Sequence, residues 1–201
     1  MQNREVGSMR SRVQILSLQQ EPDGCRWART AVRWGEVTHP TGSNLFSKVG
    51  LGARSVRIRM RRMDCLSLYD AMMLDGQHLF LTRIDLDESR MYQTIEAAEI
   101  TPVTCTVTRR RVTKDNPYNR PRYGQDTLYS FPACVTEKYI RLQEVSPQNV
   151  TETCYVLVTP KCVQLRAGEL VTVGADKMRV QIGHTLDPYK NEYEVYREVD
   201  A

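Results

Sequence analysis

Residues 55–100 read SVRIRMRRMDCLSLYDAMMLDGQHLFLTRIDLDESRMYQTIEAAEI, and their pattern decides the fold class. Val56, Ile58 and Met60 alternate with Arg57, Arg59 and Arg61. A period of two marks a strand with one face in a core. Met72-Met73-Leu74 and Leu79-Phe80-Leu81 flank Asp75-Gly76, a hairpin signal because glycine accepts positive φ without a side-chain clash. A charged connector at 85–90 leads into a closing strand at 91–100. A similar plan returns over 153–200. There Tyr155-Val156-Leu157-Val158 precedes Leu170-Val171-Thr172-Val173, a turn at Gly174-Ala175-Asp176, and Met178, Val180 and Ile182 alternating with Lys177, Arg179 and Gln181. The connector is 184–190, and Tyr193, Val195, Arg197 and Val199 close the unit. A turn plan that recurs after about a hundred residues points to a duplicated small β-domain.

The expected fold is therefore all-β: two tandem small antiparallel β-barrel or sandwich domains with long inter-strand loops. The expected boundaries are 9–100 and 103–200, with 1–8 a flexible tail. The chain has 201 residues and a formal charge of +4. Its first 101 residues hold 14 Lys+Arg and 12 Asp+Glu, leaving the same numbers for the rest, so both halves are +2. Such a balance argues against a basic nucleic-acid domain joined to a neutral one, and any DNA affinity would be local to a patch. No apolar run is long enough to span a bilayer, and no signal-peptide core follows Met1, so no membrane partner is expected. The six cysteines form no CxxC pair, and only His39, His78 and His184 accompany them. Neither a zinc site nor any cofactor is expected, and the thiols read as reduced apolar fillers.

Along the chain, Val13 and Ile15 open a first strand and Glu21-Pro22-Asp23-Gly24 turns it. A second strand follows over 27–37, in which Trp27 and Trp34 are expected to anchor the core. The pattern then stops over 38–54, around Leu45-Phe46 and Lys48. It stops again at the matching place, 136–152, which holds Tyr139 and Arg141. Long loops at equivalent points suggest contact arms. Arg57, Arg59 and Arg61, with Arg54 nearby, would suit a phosphate backbone. The favoured reading is a solvated or subunit-pairing face. Arg109-Arg110-Arg111 is a second basic cluster. Thr101-Pro102 ends the first unit. Residues 115–124 read as a longer first turn of the second unit, and 128–135 as its second strand, with Pro132 signalling an edge or a bulge.

No nucleophile elbow, phosphate loop, dinucleotide fingerprint or HExxH motif is present. His184 and Asp187 stand close in sequence but lack a nucleophile, so enzymatic activity is not expected.

In its order of features the first half resembles the phage head–tail joining family, the head-closure or stopper proteins of long-tailed phages. The features are Met9-Arg10, Gly24, Trp27, Trp34-Gly35-Glu36-Val37, Leu45-Phe46, the strand from Ser55 to Arg59, and Asp75-Gly76 leading to Phe80. The second half follows with Gly124, Tyr129 and Gly174, and a tandem copy departs from the family's usual single domain. The resemblance implies a virion protein of the neck, assembled in the host cytoplasm as a ring, a hexamer or a dodecamer. Its implied partners are the portal adaptor, the tail terminator or tail tube, and, transiently, packaged double-stranded DNA. Contact candidates are Leu45, Phe46, Lys48, Arg54, Arg57, Arg59, Arg61, Arg109, Arg110, Arg111, Tyr139 and Arg141. The alternatives are a tail terminator or tail-completion protein of the same neck, and a tandem nucleic-acid-binding module of the OB type.

Overall fold

The computed structural model describes residues 9–40, 54–113, 122–137, 154–185 and 187–198, with the backbone alone for the strand residues between 110 and 127. All regular structure among them is strand. The first six strands are β1 (Ser11–Glu21), β2 (Gly24–Thr38), β3 (Ser55–Arg61), β4 (Ala71–Leu74), β5 (Gln77–Leu86) and β6 (Tyr92–Ile100). They pair antiparallel in a closed ring: β1 with β4, β4 with β5, β5 with β6, β6 with β3, β3 with β2, and β2 back with β1.

The second six are β7 (Val103–Thr113), β8 (Arg122–Glu137), β9 (Cys154–Pro160), β10 (Leu170–Val173), β11 (Asp176–His184) and β12 (Lys190–Arg197). Their ring runs β7–β10–β11–β12–β9–β8 and closes on β7, the same order of pairing. Closure leaves no long sheet edge, and side chains fill the small lumen. Both short hairpins turn on positive φ: Asp75 at 49° and Gly76 at 84° in the first ring, Gly174 at 61° in the second.

Each ring is packed in the same manner. Val13, Ile15, Val56, Ile58, Met60, Met72, Leu74, Leu79, Leu81, Ile95 and Ala97 form the first core. Val107, Phe131, Leu157, Val171, Met178, Val180, Tyr193 and Val195 are prominent in the second. The β3–β4 connection contributes Met63, Leu66 and Leu68 to the first core. The corresponding β9–β10 connection contributes Val163, Cys162 and Leu165 to the second. A buried amide near the start of each closing strand holds that connection. Gln93 Oε1 accepts from the Met63 amide at 3.3 Å. Asn191 Nδ2 donates to the Val163 carbonyl at 2.9 Å.

The rings meet along a third cluster drawn from both: Leu16, Ala71, Phe80 and Ile100 against Cys134, Val156 and Val158, with Trp27 and Met73 at its margin. This seam explains the runs that do not alternate. Met72 and Leu74 point into the first core while Ala71 and Met73 face the seam; Leu157 points into the second while Val156 and Val158 face the seam. Only strands covered on both sides need apolar residues at successive positions. At the seam's edge, β2 and β8 touch in parallel at one residue pair, Gly24 and Ser130. The Ser130 amide donates to the Asp23 carbonyl at 2.8 Å. A Cβ on Gly24 would stand 2.0 Å from the Ser130 oxygen, so this approach requires glycine.

Several expectations need correction. Trp34 is 59% exposed and stands outside the core, and Trp27 is half-buried at the seam, so neither anchors a barrel interior. Phe131 and Tyr193 supply the large buried aromatic rings of the second core, and Phe80 that of the seam. Ile182 does not continue the inward series of Met178 and Val180, because the β11–β12 register shifts between Val180 and Ile182 and leaves Ile182 47% exposed. β5 carries a similar shift between Leu81 and Arg83. β8 begins at Arg122, not near residue 128, and Gly124 lies within the strand because the β7–β8 ladder continues beyond its own bulge to Thr113 and Arg122. Pro132 lies between the Ser130 contact with β2 and the ladder to β9, which starts at Cys134. Its missing amide therefore falls where β8 changes partner.

Candidate interaction surfaces

The outward face of β3 is the arginine stripe, and its neighbour in the sheet is β6. Opposite Arg57 in register stands Glu96, and their side chains pair at 2.7 Å. Arg59 lies over the Tyr92 ring, 4.5 Å from its centroid, with the Asp87 carboxylate 4.0 Å away. Asp87 also accepts from the Tyr92 amide and the Ser89 hydroxyl, which folds the β5–β6 turn. Two of the three stripe arginines are thus engaged by carboxylates of their own ring.

Arg61 differs. It is exposed, has no ion-pair partner among the described residues, and lines an open groove of about 740 Å³ with Met9, Arg10, Val32, Arg33 and Trp34. An exposed indole among guanidinium groups combines apolar area with cationic donors. That combination suits an acidic partner with an apolar anchor, or stacked bases. Arg54 is exposed at the start of β3, and its carbonyl accepts from the Glu99 amide at 2.9 Å.

In the second ring Arg109 pairs with Glu169 at 3.2 Å, donates to the Gln164 carbonyl and lies 5.9 Å from the Tyr129 ring centroid. These contacts tie β7 to the β9–β10 connection. Arg110 and Arg111 lie in β7 at its bulge, and their side chains are outside the described residues. Leu45, Phe46, Lys48, Tyr139 and Arg141 also lie outside the described residues, as do most of the expected contact arms. No protein-family model matches the chain, and no curated protein matches it.

His184 does not pair with Asp187. Its Nε2 lies 3.0 Å from Glu194 Oε1, across the β11–β12 ladder. Asp187 instead accepts from the amides of Tyr189 and Lys190 and shapes the turn. His78 is buried at the seam beside Trp27 and Phe80, with ring centroids 5.8 and 5.7 Å away. Burial lowers its pKa to about 4, which leaves the imidazole neutral at pH 7.

Sequence reading missed the polar groups that cross the seam. Lys190 is buried, donates to the carbonyls of Leu81 and Leu68, and lies 5.6 Å from the Phe80 ring centroid. Cys25 and Cys162, 137 positions apart, place their sulfurs 4.0 Å from each other. A lysine in a charged connector and two scattered cysteines carry no pattern that would have flagged them. The one usable signal is indirect and was not read: apolar runs without alternation imply a second buried face.

Proposed function

We propose that this chain is a structural protein of the phage neck, a head-closure component that forms a ring below the portal and its adaptor. In that place it closes the DNA-filled head and offers the tail a docking platform. The observation that carries the reading is one strand order used twice. The long connections, 39–54 between β2 and β3 and 138–153 between β8 and β9, leave from equivalent strands of the two rings. Rigid barrels joined by long connections suit heterologous contacts that close on rotation. Six chains would present twelve similar barrels to a twelve-fold adaptor. The role requires docking and no chemistry, so the chain is read as a non-enzyme.

The test is deletion of the gene from the phage, followed by electron microscopy of the particles. Filled heads that leak DNA or lack tails support the assignment; normal infectious particles remove it. Tail tubes of irregular length on intact heads favour the tail-terminator role instead.

The Trp34 groove favours a second reading, a tandem barrel that binds nucleic acid through Trp34, Arg10, Arg33 and Arg61. Filter binding at two salt concentrations separates the two. Tight binding by the isolated chain that weakens steeply with salt supports the second reading.

A further inference from the structure

Cys25 is the second residue of β2, immediately after the Gly24–Ser130 contact, and it is buried against the second core although it belongs to the first ring. Cys162 lies in the turn that leaves β9, where the Val163 amide donates to the Pro160 carbonyl at 3.0 Å. It is part-exposed, and its sulfur forms an S–H···S contact with Cys25 at 4.0 Å. The pair spans the seam.

The two thiols have opposite acid–base character. The hydrogen bond shared with Cys25 holds the Cys162 thiol down at about 7; burial opposes this, and the Gln20 side chain assists. The same hydrogen bond, with burial, pushes Cys25 well above the usual thiol range. Near neutral pH a large share of the reachable member is thus thiolate, while the hidden member keeps its proton. The other cysteines differ. Cys105, Cys134 and Cys154 are buried, burial pushes Cys105 up to about 12, and Cys65 is exposed.

We propose that Cys25 and Cys162 are an oxidation site at which a low-molecular-weight disulfide staples the two rings together. The Cys162 thiolate attacks one sulfur of the reagent, such as glutathione disulfide. The reagent's S–S bond breaks, one glutathione thiolate leaves, and Cys162 carries a mixed disulfide. Cys25 then gives its proton to the departed thiolate and attacks the Cys162 sulfur, expelling the second glutathione. Two protein thiols are oxidised and one glutathione disulfide is reduced to two thiols, the usual exchange sequence. The sulfurs must close from 4.0 Å to about 2.05 Å. The staple closes a 137-residue separation across the seam and restricts the rings to one relative placement.

The experiment treats the folded full chain with glutathione disulfide at pH 7.5, blocks free thiols with an alkylating reagent, and maps peptides by mass spectrometry. The expected product is a Cys25–Cys162 linked peptide with a mass loss of about 2 Da. Faster migration on a non-reducing gel and a raised unfolding temperature accompany it, and dithiothreitol reverses both. In Cys25→Ser the reaction stops at glutathione on Cys162; in Cys162→Ser neither product forms and Cys25 remains free. Three results overturn the proposal: six unmodified cysteines after treatment, linkage through Cys65, or a glutathione adduct on Cys162 that persists in the wild type. The wild-type measurement decides alone if a serine variant fails to fold. Its companion is the pH dependence of Cys162 alkylation, with a midpoint near 7 in the wild type.

Discussion

The ammonium of Lys190, on β12, donates to the carbonyl of Leu81, on β5, across 2.7 Å of buried seam. Leu81 is the residue at which the β5–β6 register shifts. A lysine of one ring therefore serves the irregular backbone of the other, and burial lowers its pKa to about 8, against a smaller upward pull from Asp187.

That placement has a pH signature. Unfolded, the lysine titrates near 10.5, so between pH 8 and 10.5 the unfolded chain binds more protons. Stability contributed by this site therefore rises across the window, by roughly 3 kcal/mol if the whole shift is expressed. Above pH 8 the neutral amine still donates to Leu81. The measurement is denaturant stability against pH for wild type minus Lys190→Met, which cancels the other lysines and tyrosines. A flat difference would show that Lys190 is solvated in solution.

His78 gives a slope of the same sign at the acid end. Its folded pKa of about 4 lies below the ordinary 6.5, so the unfolded chain binds the extra proton between those values. Stability should fall as the pH drops through this window, by roughly 3 kcal/mol at its end. Replacing His78 with Leu should remove that portion of the acid sensitivity and leave the carboxylate portion. Equal slopes in wild type and variant would refute the burial argument.

Gly24→Ala tests the contact between β2 and β8. Its new Cβ meets the Ser130 oxygen at 2.0 Å, so the strands must part and the Ser130–Asp23 hydrogen bond must lengthen. The expected loss is about 1–3 kcal/mol. Faster amide exchange at Ser130 should accompany it, read by hydrogen exchange with mass spectrometry. Unchanged exchange at that amide would mean that the strands do not meet there.

The two aromatic positions separate surface from seam. Trp34→Ala should change stability by less than about 0.5 kcal/mol, as for an exposed side chain. Phe80→Ala, which empties the centre of the seam, should cost about 3–5 kcal/mol. Thermal and denaturant unfolding of both variants checks the contrast, and a larger loss at Trp34 would place that indole inside a core.

The strand pattern was legible because a half-buried strand writes its exposure into alternate residues. Val56, Ile58 and Met60 are fully buried while Arg57 and Arg61 are exposed, as the alternation requires. The Asp75-Gly76 turn was legible because positive φ at two successive positions selects for those residue types. The tryptophans misled because size predicts a preference for burial and says nothing about which end of a long strand runs past its core. Ile182 misled because a bulge inverts the alternation, and no residue type announces one there. The arginine stripe was readable as a solvated face, but its pairing with Glu96 and Asp87 depends on the register of β6 and on a turn some thirty residues away.

By itself, then, the sequence determined the strands, their tight turns and the repetition of one plan, since those follow from periodicity and from local backbone energetics. Only the tertiary structure decided that the barrels share an apolar seam, and that Lys190, His78, Gly24 and the Cys25–Cys162 pair belong to it. Lys190, Gly24 and the cysteine pair meet their partners across a hundred positions or more, and the environments of all these residues arise from burial and close approach between two closed sheets. Such a juxtaposition leaves no periodic trace in either half.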